Sequence, residues 1–283
     1  MINSIFLKDS IDFFLKEDDL AKNFQYLHSL PSGMVDCEIK FKDNLTISGI
    51  PFFFEVLNYI SDVKINYSQF NEYENKDVKK EDNFVIKFQA PFNVVLCAER
   101  LALNLLQRSS SITTHTKSFI EKAKNHNVSI LDTRKTTPGL RFLEKYATQV
   151  GGAKNHRFSQ NDVWMIKDNH KNYFGGVKEA LEFFSSVNSF YTPIVVEVHG
   201  IEELKLGLGL NIKHFMLDNF SPSQVKEAIE LKTSSVSYEV SGGITLDNID
   251  TYLIEGVDAI SSGSLTYGAR QVDISLKYHR TQK

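Results

Sequence analysis

The chain has 283 residues, of which 42% are hydrophobic, which is enough apolar material for one large domain or two modest ones. The formal net charge is -3 with 24% charged residues, a balance that excludes a strongly basic nucleic-acid-binding or membrane-surface protein. Charged residues interrupt the N-terminus where a signal peptide would be apolar, and no apolar run reaches the about 18 residues of a membrane helix.

The region from residue 1 to about 110 has the pattern of a small α+β layer. Strands are predicted at 34–41, 45–53, 62–67 and 83–90, and a polar stretch at 71–82 is typical of a solvated hairpin loop. Apolar residues then recur at helical spacing over 94–125, which predicts one long helix or two helices with a break near 109–111. Cys37 and Cys97 form no Cys-x-x-Cys motif, so a reducing, cytoplasmic location is expected.

From about residue 128, short apolar runs alternate with amphipathic helical segments. Val- and Ile-rich runs in this rhythm predict parallel strands in βα units, and the rhythm fits a barrel and an open parallel sheet about equally well. The predicted strands lie at 128–131, 163–166, 194–196, 215–217, 236–240 and 259–261. The predicted helices lie near 139–149, 174–188, 200–208, 221–232 and 246–256.

Each of the six runs ends in polar or charged residues. The carboxyl ends of parallel strands share one face, and that face holds the site in such folds, so these residues are expected to converge. Ser241-Gly242-Gly243 and Ser262-Gly263-Ser264 follow the last two runs. Glycines let the backbone approach an anion, and a hydroxyl with free N–H groups can bind it, so phosphate binding is favoured over plain turns.

Several cations fall on or near the same predicted face. They are Arg134, Lys135, His156, Arg157 and Lys167, with Arg100 as a further candidate. Cations gathered in one pocket would repel one another, so the cluster indicates a ligand with several negative charges. The alternative, solvated surface charge, is accepted for Lys171 and Lys178.

Glu197 and Asp218 each end a predicted strand. Carboxylates beside a phosphorylated sugar can hold Mg²⁺, bind ribose hydroxyls or stabilise developing positive charge. The alternative is a structural ion pair with one of the cations. His199 and several other histidines have no partner that the sequence identifies.

Five segments together resemble the quinolinate phosphoribosyltransferases, in order and spacing as well as in residue types. The segments are 99–108, 132–141, 144–147, 151–157 and 166–170, and the resemblance is strong from about 91 to 275. It implies an α/β protein with an N-terminal open-faced α+β sandwich domain at 1–110 and an incomplete six-stranded parallel α/β barrel at 111–270. The C-terminal tail, 271–283, is a candidate to pack back on the first domain.

The resemblance also implies the reaction and the roles of residues. Quinolinate and phosphoribosyl pyrophosphate would give nicotinate mononucleotide, pyrophosphate and CO2, with Mg²⁺ as cofactor, in a homodimer with shared active sites and no nucleic-acid or membrane partner. Arg134, His156, Arg157 and Lys167 would hold quinolinate, joined by Arg100 from the partner subunit. Lys135, Glu197 and Asp218 would act in catalysis, the two acids also holding Mg²⁺, directly or through water. The two serine–glycine segments would bind the 5′-phosphate.

Some positions depart from the usual family pattern. A Lys16–Asn23 stretch replaces an acidic-Gly-Asp-Leu-Thr-Thr segment, Ser110 replaces a glycine, Ala153 replaces a third glycine, and Tyr267 stands where a histidine is frequent. Two other functions stay open: a family paralogue that uses another aromatic acceptor, and a non-catalytic sensor of phosphoribosyl metabolites. The intact Lys167–His170 motif and the two acids favour the enzyme that uses quinolinate.

Overall fold

The computed structural model describes residues 4–18 and 25–281. Residues 19–23 of the divergent N-terminal stretch lie outside the described part. The chain forms two compact units. Unit 1 comprises Met1–Thr114, Pro138–Gly151 and Ala269–Lys283, and unit 2 comprises His115–Thr137 and Gly152–Gly268.

The helices and strands are numbered in chain order. The helices are α1 (Ser4–Asp18), α2 (Gln25–Ser29), α3 (Ile50–Ile60), α4 (Phe92–Ala123), α5 (Arg141–Val150), α6 (Asp168–Phe174), α7 (Val177–Val187), α8 (Ile201–Gly209), α9 (Pro222–Glu230) and α10 (Ser264–Tyr267). The strands are β1 (Met34–Phe41), β2 (Leu45–Thr46), β3 (Asp77–Val78), β4 (Val85–Pro91), β5 (Ser129–Leu131), β6 (Trp164–Ile166), β7 (Ile194–Val198), β8 (His214–Asp218), β9 (Ser237–Ser241), β10 (Ala259–Ser261) and β11 (Ile274–Arg280).

Unit 1 contains an antiparallel sheet in the order β11-β1-β4. In the central strand β1, Val35, Cys37, Ile39 and Phe41 are buried, because successive side chains of a strand point to opposite faces and this set faces the core. Strand β1 pairs along its length with β11 near the C-terminus, from Val35 opposite Arg280 to Phe41 opposite Ile274. Most of the predicted tail therefore belongs to the sheet of unit 1.

The strands predicted at 45–53 and 62–67 are wrong. Only Leu45–Thr46 is extended in the first segment, and 50–60 forms α3, while 62–67 has no regular structure. Helix α3 buries Phe52, Phe53 and Phe54 in succession, and a helix that is apolar on most of its surface loses the periodicity that would identify it.

Helix α4 is one continuous helix through 109–111, where a break had been one of two possibilities. Helix α5 packs in unit 1, although the expected boundary at 110 would place it in the second domain. The ring of Phe142 lies 5.9 Å from that of Phe52, and Tyr146 lies 5.1 Å from the same ring. In addition, Arg108 on α4 donates to Glu144 on α5 at 2.7 Å. These contacts explain why 138–151 joins unit 1.

Unit 2 contains six parallel strands in the order β5-β10-β9-β8-β7-β6, so β5 and β6 are the two edges. With the antiparallel sheet of unit 1, this confirms the predicted fold class, an α/β fold with an incomplete barrel. The core of unit 2 is built from strand residues such as Val196, Leu217 and Ile260 and from helix residues such as Val225.

Two details of unit 2 differ from expectation. The helix predicted at 246–256 reduces to a short 3-10 turn at Ile249–Tyr252. The residues after β6 form the first turn of α6, where His170 Nδ1 accepts from the backbone N–H of Lys167 at 3.0 Å.

Among the described residues, no helix is both long and apolar enough to cross a membrane.

Candidate active site

A cleft of about 770 Å³ opens in unit 2 at the carboxyl ends of the parallel strands. It brings together five predicted cations, both predicted acids and Ser241. Its lining residues are Thr133, Arg134, Lys135, His156, Arg157, Gln160, Asn161, Trp164, Met165, Lys167, His170, Phe184, Glu197, Met216, Asp218, Ser241 and Ser261. Arg100 belongs to unit 1, where it lies exposed on α4.

The cationic wall of the cleft contains two arginines. Burial lowers the pKa of the Arg157 guanidinium, and the nearby charge of Arg134 lowers it further, while Glu197 and Glu239 act in the opposite direction. Arg157 is held by a hydrogen bond from its Nη1 to the carbonyl of Val163 at 2.8 Å. Two partly buried guanidiniums that repel each other are suited to an anionic ligand, which would relieve the repulsion.

The acidic wall faces a lysine. Lys167 Nζ donates to Glu197 Oε2, and Glu197 is only 7% exposed. Burial raises the pKa of the Asp218 carboxyl, and the negative charge of Glu197 raises it further, while His199, Lys167 and Lys135 counteract this effect. The cleft therefore holds both signs of charge, with the two acids close enough to influence each other.

His199 joins this acidic group, although the sequence identified no partner for it. Its Nε2 lies 2.8 Å from Asp168 Oδ1 and 3.6 Å from Glu197 Oε1, and its Nδ1 lies 3.6 Å from Asp218 Oδ2. The sequence offered one signal, because His199 directly follows β7 and lies only two residues after Glu197.

The acids also offer ligand atoms for a cation. One ligand atom each of Asp168, Glu197 and His199 lies within 4.8 Å of the others. Carboxylate oxygens are the donors that Mg²⁺ prefers, so Glu197, Asp218 and Asp168 fit the expected ion, whereas an imidazole is a less usual ligand for it.

Lys171 was expected to be a solvated surface charge, and that expectation is wrong. Its side chain is 8% exposed and bonds the carbonyl of Glu197 at 3.0 Å and the carboxylate of Glu203 at 2.6 Å. Lys171 also lies 3.0 Å from Asp168. It thereby ties α6 to the end of β7, next to the cleft.

The first serine–glycine segment turns sharply at the end of β9. Gly242 and Gly243 have φ angles of 100° and 60°, in the left-handed region that favours glycine. A Cβ on Gly242 would lie 2.3 Å from Asn219 Oδ1, so only glycine fits beside this loop, whereas a Cβ on Gly243 would meet nothing within 4 Å.

The second serine–glycine segment is more enclosed. Ser262 Oγ donates to the carbonyl of Ile244 at 2.6 Å and lies 3.0 Å from Ser264 Oγ, and both serines are buried. Ser261, one residue earlier, lines the cleft instead, and its buried Oγ has no hydrogen-bond partner. Ser261 was not predicted as a site residue. The strand that ends at Ser261 was predicted correctly, but the sequence did not show which of its side chains face the cleft.

Comparisons with known proteins identify the family of the chain. Residues 112–277 match the family model described as quinolinate phosphoribosyl transferase, C-terminal domain. Over 98% of its length the chain is 36% identical to a probable nicotinate-nucleotide pyrophosphorylase (carboxylating) of Methanocaldococcus jannaschii, 97% of which is covered. A Bacillus subtilis protein of the same name is 31% identical, with 97% of this chain and 94% of that protein covered. The crystal structure of NadC from Streptococcus pyogenes is similar with a TM-score of 0.87 and 29% identity, covering 99% of both chains. The chain belongs to the quinolinate phosphoribosyltransferase family.

Proposed function

We propose that this enzyme transfers the phosphoribosyl group of phosphoribosyl pyrophosphate to quinolinate, with loss of CO2, and so forms nicotinate mononucleotide and pyrophosphate for NAD synthesis. One observation carries the proposal: Arg134, Lys135, Arg157 and Lys167 line the same cleft as Glu197 and Asp218. A pyridine dicarboxylate and a pyrophosphate together supply the negative charge that this number of cations requires.

The acceptor half of the site consists of Arg134, Arg157 and Lys167, with His156 beside Arg157. Guanidinium groups bind carboxylates through two parallel hydrogen bonds, so two arginines and a lysine suit two carboxylates on one ring. An acceptor with a single carboxylate would leave part of this cationic wall without an anion. The wall therefore supports quinolinate over nicotinate as acceptor.

The donor half consists of Lys135, Glu197, Asp218 and the Ser241–Gly243 and Ser262–Ser264 segments. The pyridine nitrogen has a free lone pair, so it can attack the anomeric carbon without a general base while pyrophosphate leaves. Positive charge develops on the ribose ring in this step, and the carboxylates of Glu197 and Asp218 are suited to stabilise it. Lys135 would bind phosphate oxygens, and the rate would come mainly from positioning and electrostatics.

Mg²⁺ is proposed as the cofactor. Glu197 and Asp218 would hold it, directly or through water, with Asp168 close to Glu197. When bound, the ion would neutralise pyrophosphate charge, and it takes few protein ligands because it keeps several waters. The acids and Lys167 would remain responsible for orienting the sugar and the acceptor.

A homodimer with shared active sites is also proposed. Arg100 belongs to unit 1 and is exposed on α4, and its exposure supports a role in the site of a partner subunit. The location in the cytoplasm stays a prediction that rests on cysteine usage, and cell fractionation would check it.

The decisive experiment is a turnover assay with phosphoribosyl pyrophosphate, Mg²⁺ and quinolinate, with nicotinate and nicotinamide as parallel acceptors. Formation of nicotinate mononucleotide and CO2 from quinolinate alone is the expected result. Turnover of another aromatic acid in its place would assign the chain to a paralogue of different specificity. Binding of phosphoribosyl pyrophosphate without turnover of any acceptor would point to a sensor and contradict the proposal.

A further inference from the structure

Glu239 lies on β9, two residues before the Ser241 that lines the cleft, and has no role in the proposal above. Its side chain is 13% exposed, and its Oε2 lies 3.2 Å from His156 Nε2. Its other oxygen, Oε1, is buried and makes no hydrogen bond. Burying a carboxylate costs free energy unless a specific partner offsets the cost. The contact with His156 is therefore expected to have a structural or functional role.

The hydrogen bonds of His156 identify which ring nitrogen carries the proton. The backbone N–H of Arg157 donates to His156 Nδ1 at 2.7 Å, so Nδ1 must offer its lone pair. In the neutral ring the proton then lies on Nε2, which donates it to Glu239. Both ring nitrogens are therefore committed within the protein, and the imidazole connects Glu239 to the backbone of Arg157.

The segment that carries Arg157 is fixed from a second side by Asp132, which is completely buried. Asp132 accepts from the backbone N–H of His156 and from the side chain of Asn155, each at 2.7 Å. The guanidinium of Arg157 itself donates a hydrogen bond to the carbonyl of Val163. The place of Arg157 in the cleft thus depends on the backbone at 155–157, which Asp132 holds directly and Glu239 holds through His156.

We propose that Glu239 is a positioning residue for the acceptor site: it holds His156 as the Nε2–H tautomer and thereby fixes the position of Arg157, which binds a carboxylate of the acceptor. The acceptor named here rests on the proposed function. His156 itself lines the cleft, and the proposal gives its imidazole the further role of connecting Glu239 to Arg157.

Two substitutions separate positioning from bulk stability. Glu239→Gln keeps an oxygen that can accept from His156 Nε2, whereas Glu239→Ala removes the acceptor. Loss of a charge-assisted hydrogen bond corresponds to a change of roughly tenfold to a hundredfold. Glu239→Ala is therefore expected to raise the KM for quinolinate roughly tenfold or more. The KM for phosphoribosyl pyrophosphate should change little. In Glu239→Gln, the KM for quinolinate should stay close to the wild-type value. Glu182→Gln, on an exposed helix position, is the matched control.

A spectroscopic measurement tests the contact without any substrate. Imidazole ¹⁵N spectra of the full chain, with the His156 signals assigned through His156→Asn, should show the Nε2–H tautomer in the wild type and in Glu239→Gln. In Glu239→Ala that preference should be lost. The proposal is overturned if the tautomer is the same in all three proteins, or if both KM values rise together and Glu239→Gln gives no rescue.

Failure of the proposed function would give a different pattern. If the wild-type enzyme used another acceptor and not quinolinate, the tautomer would still depend on Glu239, and the KM effect would be seen with that acceptor. The positioning role would then stand while the identity of the acceptor would be corrected.

Discussion

At the scale of single residues, Lys167 is the cation whose removal should be most informative, because it contacts Glu197 and also faces the acceptor half of the cleft. Lys167→Ala is expected to lower kcat/KM for quinolinate by roughly tenfold to a hundredfold, with a much smaller effect on the melting temperature. Steady-state kinetics and thermal melts measure both. Lys178→Ala, at an exposed position, is the control, and full activity of Lys167→Ala would contradict the assignment.

Gly242 and Gly243 provide a matched pair of substitutions. Both have positive φ, but only at Gly242 would a Cβ meet Asn219, at 2.3 Å from Oδ1 and 2.6 Å from the backbone N. Gly242→Ala is expected to raise the KM for phosphoribosyl pyrophosphate and to lower the unfolding free energy by about 2 kcal/mol or more. Gly243→Ala should lower the unfolding free energy by only about 1 kcal/mol. Equal effects of the two variants would show that the contact with Asn219 is unimportant.

Residue types at strand ends predicted Arg134, Glu197 and Asp218 as cleft residues, because parallel strands bring their ends to one face. Arg157 precedes β6 and follows no strand end, so the strand pattern alone did not place it. The orientation of individual side chains was harder to predict. Ser261 and Ser262 are adjacent and chemically identical, and only the phase of β10 decides which hydroxyl faces the cleft.

At the scale of elements, Glu74 stabilises the start of α3. Its Oε1 accepts from the backbone N–H groups of Gly49 and Ile50 at 2.8 and 2.5 Å, and its Oε2 accepts from the Tyr146 hydroxyl at 3.0 Å. Burial nevertheless raises the pKa of the Glu74 carboxyl, and these hydrogen bonds only partly offset it. The folded state therefore holds the Glu74 proton more tightly than the unfolded state does.

The sign of the pH dependence follows from that difference. As pH rises through the interval between the unfolded and folded pKa values, ionisation of Glu74 costs the folded state stability. Glu74→Gln removes this cost, so its unfolding free energy relative to wild type should increase from acidic to neutral pH and then level off. Urea denaturation across this range measures the difference, and a difference that does not change with pH would refute the explanation.

The ion pair of Arg108 and Glu144 joins α4 to α5 in unit 1. Glu144 is completely buried, while the Arg108 side chain is 27% exposed. Arg108→Ala is expected to lower the unfolding free energy by about 3 kcal/mol, because a buried carboxylate would lose its cation. Lys16→Ala, which removes an exposed pair with Asp12, should change it by less than about 1 kcal/mol. Chemical denaturation of both variants tests the contrast.

Helix α3 shows why part of unit 1 could not be predicted from local pattern. Pro51 at the first turn and Gly49 before it are signals of a helix start, yet the buried phenylalanines that follow fit a strand equally well. In contrast, the long strand β1 alternates clearly between buried and more exposed residues, because one face packs on the core, and its bounds were predicted correctly.

At the scale of the whole molecule, the proposed shared active site can be tested by complementation. Arg100→Ala and Lys167→Ala are each expected to retain roughly a tenth of the wild-type activity or less as single variants. Co-expression should restore about a quarter of the wild-type activity, since half of randomly formed dimers would be mixed and one of their two sites would be intact. Activity that does not exceed the sum of the single variants would argue that Arg100 does not act in a partner's site.

The domain order could be inferred from the sequence because the βα rhythm begins clearly after the long helix. The assignment of 138–151 to unit 1 could not, because the packing of α5 against Phe52 and Arg108 joins residues far apart in the chain. A contact between segments so far apart in the chain produces no recognisable hydrophobic periodicity in the sequence of either segment.

The pairing of β1 with β11 has a consequence for the biosynthesis of the protein. Val35 is translated long before Arg280, its partner in the register, because the whole of unit 2 lies between β1 and β11 in the chain. Until β11 is synthesised, one edge of β1 therefore stays unpaired, and such an edge is a template for aggregation. Unit 2, with His115–Thr137 and Gly152–Gly268, can be completed before β11 emerges from the ribosome, whereas the sheet of unit 1 can close only after β11 has emerged. Nascent chains that stall before β11 would thus be the species that chaperones must protect.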